Sequence, residues 1–418
     1  MAAPSPAGPV ARSGWGRSPT FRSLRHPNAR RYFFGLVVSN AGTWLQSTAM
    51  AWLVLELTDD AGALGAVTGA QFLPQLLFGP WAGAIADRRH RQNQVVLTQA
   101  LAMVQAFVLG ALTLTGHVNV PAVYVLAVVL GVVSAFDNPA RRSLITELVE
   151  PDEVANAMSL NTAVMTGSRV IGPALAGVLI AVVGTGWCFV LNGVSFVAVL
   201  VALLTMDRAA IHRAAPAAKA KGQVREGFRA ILGDPVLRIA FAVLVVVSTL
   251  SFNYNVAIPT LVKRAFGGGS GQFGLMLAVS SVGSLLGALV VASRPPQVRM
   301  VLVACAGLGA SMAAAAWSPT LWLSMLFAIP MGLAGSGLVA ITSGLLVNRV
   351  APNLRGRVLA LQATVFLGST PIGSPIVGFA AEHFGSRWGL GIGGIAALVM
   401  APLGWVAWRH SVVKSRQD

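Results

Sequence analysis

The sequence predicts an all-α membrane protein of 12 transmembrane helices, arranged as two pseudo-symmetric six-helix bundles. Three observations predict it. The 418 residues are 55% hydrophobic and 11% charged, with a mean hydropathy of +0.71, whereas soluble domains carry about 25% charged residues. Apolar windows of about 20 residues, enough to cross the hydrocarbon layer at 1.5 Å per residue, recur twelve times. Finally, a shift of 201 residues aligns part of the chain with itself without a gap.

The windows centre on 31–55, 64–85, 94–115, 120–138, 157–181 and 186–206, then 236–259, 271–292, 299–316, 320–346, 357–381 and 388–408. Residues 1–29 read as a basic, disordered cytoplasmic tail and 30–206 as the N-terminal bundle. A cytoplasmic linker follows over 207–235, a C-terminal bundle over 236–409 and a short cytoplasmic tail over 410–418. Within the linker, Val224, Phe228, Ile231 and Leu232 share one helical face, with Arg225, Glu226 and Arg229 opposite. That pattern predicts a short amphipathic helix on a membrane surface, or a solvated linker helix. The repeat pairs Pro151 with Pro352, Gly167 and Ser168 with Gly368 and Ser369, Gly172 with Gly373, Gly177 with Gly378, and Trp187 with Trp388. An offset of six spans gives parallel halves, the arrangement of carriers that rock around a central site.

The net charge of +16 would suggest a nucleic-acid partner in a soluble chain. Here all but four of the 30 Lys and Arg fall on one side of the predicted topology, the exceptions being Arg169, Lys263, Arg264 and Arg387. This positive-inside asymmetry places both termini in the cytoplasm, in a multi-pass protein of the cell (inner) membrane whose basic loops face anionic lipid, with no nucleic-acid partner. Cys188 and Cys305 lie in apolar spans, which argues against a disulfide framework or zinc site. The six histidines are scattered singly and no phosphate-cradling GxxxxGK[ST] loop occurs, so neither a metal cofactor, an ATP-driven pump nor a membrane enzyme is expected.

Two stretches carry mechanism. GSRVIGPALAG at 167–177 places Arg169 inside an apolar span, at a cost of roughly 2.5–3.5 kcal/mol on an insertion scale. Gly167, Gly172 and Gly177 offer a bare face for close helix packing, and Pro173 removes a backbone hydrogen bond. Arg169 has Thr370 as its repeat mate, so it reads as a gating or coupling group or as a static partner of a carbonyl or acid. GAIADRRHRQ at 83–92 places Asp87 at a helix C-terminus, where the macrodipole disfavours an acid, among Arg88, Arg89 and Arg91. Asp87 reads as half of a latch, or as an acid balancing a basic loop.

Gly83, Asp87, Arg88 and Arg91 resemble the loop between spans two and three of the major facilitator superfamily, with His90 replacing a glycine often found there. The glycine–proline pattern with Gly172 and Pro173 resembles that superfamily's antiporter motif. Residues 38–58, 136–149, 186–196 and 351–361 are similar to the branch of 12-span exporters containing the enterobactin and macrolide exporters. The resemblance implies a monomeric, alternating-access secondary transporter that exports a drug-like or siderophore-like small molecule, driven by the proton gradient and needing no cofactor. An uptake carrier or facilitator remains the alternative. It also implies that Asp87 holds an inward gate shut by meeting the ends of spans four and eleven, with Arg141, Arg142, Arg355 and Arg357 as candidate partners.

By the same resemblance, the cavity candidates are Asn40, Thr43, Trp44, Gln46 and Thr48 on span one and Gln71 and Gln75 on span two. Span five adds Asn161 and Arg169. Span seven adds Ser248, Asn253, Tyr254 and Asn255, and span eleven adds Gln362 and Thr370. Each could instead be an interhelical hydrogen bond. Proton coupling asks for an acid within the spans. None of the 14 acids lies at a span midpoint. Asp137, at the inner end of span four, and Glu56, at the outer end of span one, are the coupling candidates, and Glu382 comes next.

Overall fold

The computed structural model describes residues 19–86, 90–212, 223–292 and 294–414. Helices α1 Pro27–Thr58, α2 Ala61–Ala86, α3 Arg91–Leu114, α4 Val120–Glu147, α5 Val154–Val183 and α6 Thr185–Leu204 form the first bundle. After the linker helix α7 Gln223–Gly233 come α8 Pro235–Leu250, α9 Tyr254–Thr260, α10 Ser270–Ala292, α11 Val298–Ala316, α12 Leu321–Arg349, α13 Arg355–Gly368, α14 Thr370–His383 and α15 Ser386–Lys414.

Among the described residues, ten helical segments are long and apolar enough to cross a membrane, with α13 and α14 counting together as one. The remaining two spans are α1, whose 32 residues carry Arg30, Arg31, Asn40 and Gln46, and the interrupted pair α8–α9. Their neighbours identify them as spans. α1 packs on α6 as α8–α9 packs on α15, α2 on α4 as α10 on α12, and α3 on α6 as α11 on α15. The repeat read in the sequence is thus a repeat of packing.

Helix breaks fall where the backbone cannot continue. Span seven stops at Ser251 and restarts as α9 after Asn253. Span eleven pauses at Ser369, before Pro371, which has no N–H to continue the ladder. Span five has its own proline, Pro173, whose repeat mate is Ser374, and it lies buried inside an uninterrupted α5.

Three expectations are corrected. Residues 19–25 of the expected disordered tail form a 3₁₀ turn, because Arg22 pairs with Asp152 (2.5 Å) and Glu153 (2.7 Å), His26 meets Glu153 (2.7 Å), and Leu24 is buried. Lys414 ends α15, so 410–414 continue the last span as helix instead of a loose tail. In α7, Glu226 does not point away from the protein but pairs with Arg357 of α13, and Ile231 is fully buried. Phe228 and Leu232 remain exposed beside it, so α7 is braced against the second bundle at a bend of 113° to α8.

Candidate functional site

The two bundles meet chiefly along α2 with α14 and α5 with α10, with smaller contacts of α1 and α2 on α9 and of α2 on α13. Glycines let the backbones approach. A Cβ on Gly274 of α10 would lie 2.6 Å from the Cα of Gly177 on α5, and one on Gly65 of α2 would lie 3.1 Å from the Cα of Gly378 on α14. Gly177 and Gly378 are repeat mates, so each half contributes the same bare ridge to the seam. Their neighbours Gly172 and Gly373 serve the other recurring contact, against α1 and α8 of their own halves. A Cβ on Gly167 would meet nothing, while one on its mate Gly368 would strike Leu76.

These contacts occupy the half of the spans distant from the linker, and charges close that end. Lys263 donates to the Leu55 carbonyl (2.6 Å) and pairs with Asp59 (2.9 Å). Arg264 donates to the Asp59 carbonyl (2.6 Å) and to Glu382 (2.6 Å), while Glu382 also accepts from the Ala61 backbone N–H (2.9 Å). Asp59 and Ala61 belong to the first bundle, and Lys263, Arg264 and Glu382 to the second. The hydrogen bond from Lys263, with the charges of Lys263 and Arg264 added, holds the Asp59 carboxyl below its ordinary value. Trp52 stacks on Phe273 across the same seam at 5.8 Å.

At the linker end the strong pairs among the described residues stay within one bundle. Arg91 pairs with Glu147, Arg141 with Asp137 (2.5 Å), Arg349 with Asp234 (2.8 Å), and Arg357 with Glu226. Arg142 and Arg355 are exposed. Asp87 and Arg88 lie outside the described residues, and Gly83 falls in the last turns of α2. Thus Arg141 and Arg357, expected as latch partners, are engaged elsewhere in this conformation. The acids Glu147 and Glu153 hold Arg91, Arg22 and His26. Charge pairs between the bundles are thus found, among the described residues, at the end distant from the linker.

Between the two ends, α5 carries Arg169. Arg169 sits midway along the 30 residues of α5, is exposed, and lies over the Trp44 ring at 4.9 Å. Tyr254, from the second bundle, is its ionisable neighbour, and the Tyr254 hydroxyl is buried without a hydrogen-bond partner. Asn161 Oδ1, two turns closer to the linker end, is also buried and unpartnered. Ser47, Met50, Ala51, Thr68, Gln71 and Asn255 line a small recess of about 10 Å³, room for about one water, bridged by Asn255 donating to Ser47 (3.3 Å). Gln75 and Thr370 are half-buried nearby on α2 and α14.

Several expected cavity residues are joints between helices. Gln46 donates to Gln105 (2.9 Å) and accepts from Asn192 (2.8 Å), only 2% exposed. Asn253 donates to the Thr249 carbonyl and accepts from Ser374. Gln362 bonds Ser343, and Asn40 accepts from Arg141. Thr43, Thr48 and Ser248 return their hydroxyls to carbonyls of their own helices. The proton-coupling candidates are similarly engaged. Asp137, 5% exposed, accepts from Thr98 (2.7 Å) and Gln99 (2.9 Å) besides pairing with Arg141. Glu56 accepts the Trp52 indole N–H (2.7 Å), fixing the ring that stacks across the seam.

Sequence reasoning passed over the charged seal at Asp59, Lys263, Arg264 and Glu382. The signal was present. Lys263 and Arg264 violate the charge asymmetry of the loops, and the structure gives both a bond to the opposite bundle. Arg387, another exception, donates to the carbonyls of Ala316 (2.6 Å) and Ser318 (2.8 Å).

The family model described as transmembrane secretion effector matches residues 18–415. The chain is 28% identical to the multidrug efflux pump Tap of Mycolicibacterium fortuitum, over 84% of this chain and 88% of that protein. It is 26% identical to the staphyloferrin A transporter of Staphylococcus aureus, over 62% of this chain and 66% of that protein, just under two thirds. Among solved structures it is similar to a bacterial homolog of the human lysosomal transporter Spinster, with a TM-score of 0.74 at 16% identity, covering 92% of this chain and 97% of that one. The D-xylose–proton symporter gives a TM-score of 0.67 at 15% identity, covering 90% and 97%.

Proposed function

The chain belongs to the transmembrane secretion effector family of major facilitator transporters, and from this premise we propose that it exports an amphipathic, drug-like or siderophore-like small molecule from the cell interior. It is a secondary transporter with the major facilitator fold, in a multi-pass membrane protein. Export agrees with the efflux pump and siderophore transporter among its relatives. One observation carries the mechanism. The bundles are joined at one end by glycine crossings and a charge network, while the pairs at the other end, among the described residues, stay within each bundle. Rocking that breaks the first set and joins the second moves the opening between the bundles across the membrane.

The excess of Lys and Arg at the linker end sets the orientation, with both termini in the cytoplasm of the inner membrane and anionic lipid against the basic loops. In that orientation the present conformation is inward-facing, ready to load from the cytoplasm as a monomer. The proton gradient supplies the driving force. Glu382 replaces Asp137 and Glu56 as the coupling acid, because it is the carboxylate whose partners lie in both bundles. Opening the seam takes away the Ala61 N–H and exposes Glu382 to external protons.

Proteoliposomes with an imposed pH gradient test this reading. Wild-type protein exchanges substrate for protons, and Glu382→Gln uncouples the two, leaving downhill exchange without proton movement. Unaltered proton flux in Glu382→Gln removes the assignment of the acid. Net uptake against the gradient in cells favours the uptake carrier over the exporter.

A further inference from the structure

We propose that Trp44, Arg169 and Tyr254 form an anion subsite, and that the exported molecule presents a carboxylate or phenolate on an aromatic body. This deepens the export reading and rests on it. A guanidinium carries five N–H donors and no acceptor. Among the described residues Arg169 makes no ion pair and no side-chain hydrogen bond, and its one close neighbour is the face of Trp44. Its mid-span position makes charge without a counter-ion costly, and stacking on an indole offsets only about 0.5–2 kcal/mol of it. The donor edge of the guanidinium is left for a ligand.

The surroundings fit one sign of charge. The buried acids are already paired: Asp137 with Arg141, Glu147 with Arg91 and Glu153 with Arg22. Among the described residues the ionisable group that acts on Arg169 is Tyr254, whose hydroxyl is buried with no partner, a donor available to the same ligand atom. A cationic ligand would meet Arg169 with repulsion and no acid to hold it. An organic anion meets a charge-assisted donor, a second hydroxyl donor and an indole face.

The placement of Trp44 is not accidental. A Cβ on Gly172 would overlap the Trp44 Cβ and stand 2.9 Å from the Ala41 carbonyl, so the missing side chain lets α1 lay its indole against α5. Ser281 of the second bundle donates to the Arg169 carbonyl at 3.0 Å, which holds this turn of α5 at the seam. Trp44 and Arg169 belong to the first bundle and Tyr254 to the second. A ligand gripped by all three therefore links binding to bundle movement. The mid-span position also separates the subsite from the headgroups of either leaflet, so a solute anion fits it better than a lipid phosphate.

Efflux of two fluorescent probes tests the inference. 5-Carboxyfluorescein is an aromatic anion and ethidium an aromatic cation, both loaded into cells lacking their own exporters. Wild-type protein is expected to export carboxyfluorescein and to leave ethidium little changed. In Arg169→Gln the KM for carboxyfluorescein should rise about tenfold or more, as loss of a charge-assisted hydrogen bond implies, with partial rescue by Arg169→Lys. Should Arg169→Gln fail to fold, Tyr254→Phe, which deletes only the hydroxyl, should raise the same KM. Ethidium export without carboxyfluorescein export, or anion export equal in wild type, Arg169→Gln and Tyr254→Phe, overturns the anion subsite and leaves the exporter standing. Probe uptake by the wild type in place of efflux overturns the export reading and the subsite with it.

Discussion

At the residue scale the charged groups divide into those that hold a bundle together and those that bridge the two. Asp137 is of the first kind. Its sequence position made it a proton-coupling candidate, and what ties it into its own bundle comes from Thr98 and Gln99 on α3, which no local pattern associates with it. Asp137→Asn would leave Arg141 buried beside a neutral amide, a change that costs about 3–5 kcal/mol when a buried pair loses one partner. A lowered thermal unfolding temperature of the purified protein is the expected readout, with the proton response of any surviving transport unchanged. Asp59 is of the second kind. Its pKa is lowered in the sealed state, so its contribution to the seal is fully present above the ordinary carboxylate value and is lost as pH falls through the lowered one. External acidification from pH 7 to 5 should leave the seal's accessibility to thiol reagents unchanged. Asp59→Asn should loosen it at every pH, by about 2- to 5-fold, because an exposed pair is worth about 1 kcal/mol at most. A seal that opened between pH 7 and 5 and lost that dependence in Asp59→Asn would contradict the assignment.

At the element scale the glycine ridges of α5 and α14 connect sequence to motion. Their repetition was legible before any coordinates, because the 201-residue register aligned Gly172 with Gly373 and Gly177 with Gly378. Their assignment was not, since one glycine of each pair packs within its own half and the other across the seam. The partners Gly274 and Gly65 lie on α10 and α2, in no shared pattern with them. A valine at Gly274 would collide with the Pro173 carbonyl and with Gly177, both backbone, so the α5–α10 crossing must open. Gly274→Val should therefore favour the conformation open at the sealed end, read as faster labelling of a cysteine at Ser270 and slower labelling at the linker end. The cavity list shows the opposite limit of legibility. Gln46, Asn253 and Gln362 have the same composition as residues that line a cavity, and only the helix rotation, set by packing, sends them into joints with Gln105, Ser374 and Ser343.

At the scale of the whole molecule, apolar windows and charge asymmetry revealed the class, and the repeat revealed the two halves. The conformation was beyond their reach, because sealing depends on which of two sets of long-range pairs is formed at a given moment. The seal at Asp59, Lys263, Arg264 and Glu382 and the pairs Arg141–Asp137 and Arg357–Glu226 define one state of a rocking carrier. Arg142 and Arg355 stay exposed at the linker end in this state. Pulsed electron–electron resonance distances between spin labels test the rocking most directly, in protein whose Cys188 and Cys305 have been replaced by alanine. One labelled pair, His117→Cys with Pro319→Cys, reports the sealed end, and the other, Glu150→Cys with Ala351→Cys, reports the linker end. During transport the first distance should lengthen as the second shortens. Transport proceeding with both distances fixed, or with both changing in the same direction, would contradict the account.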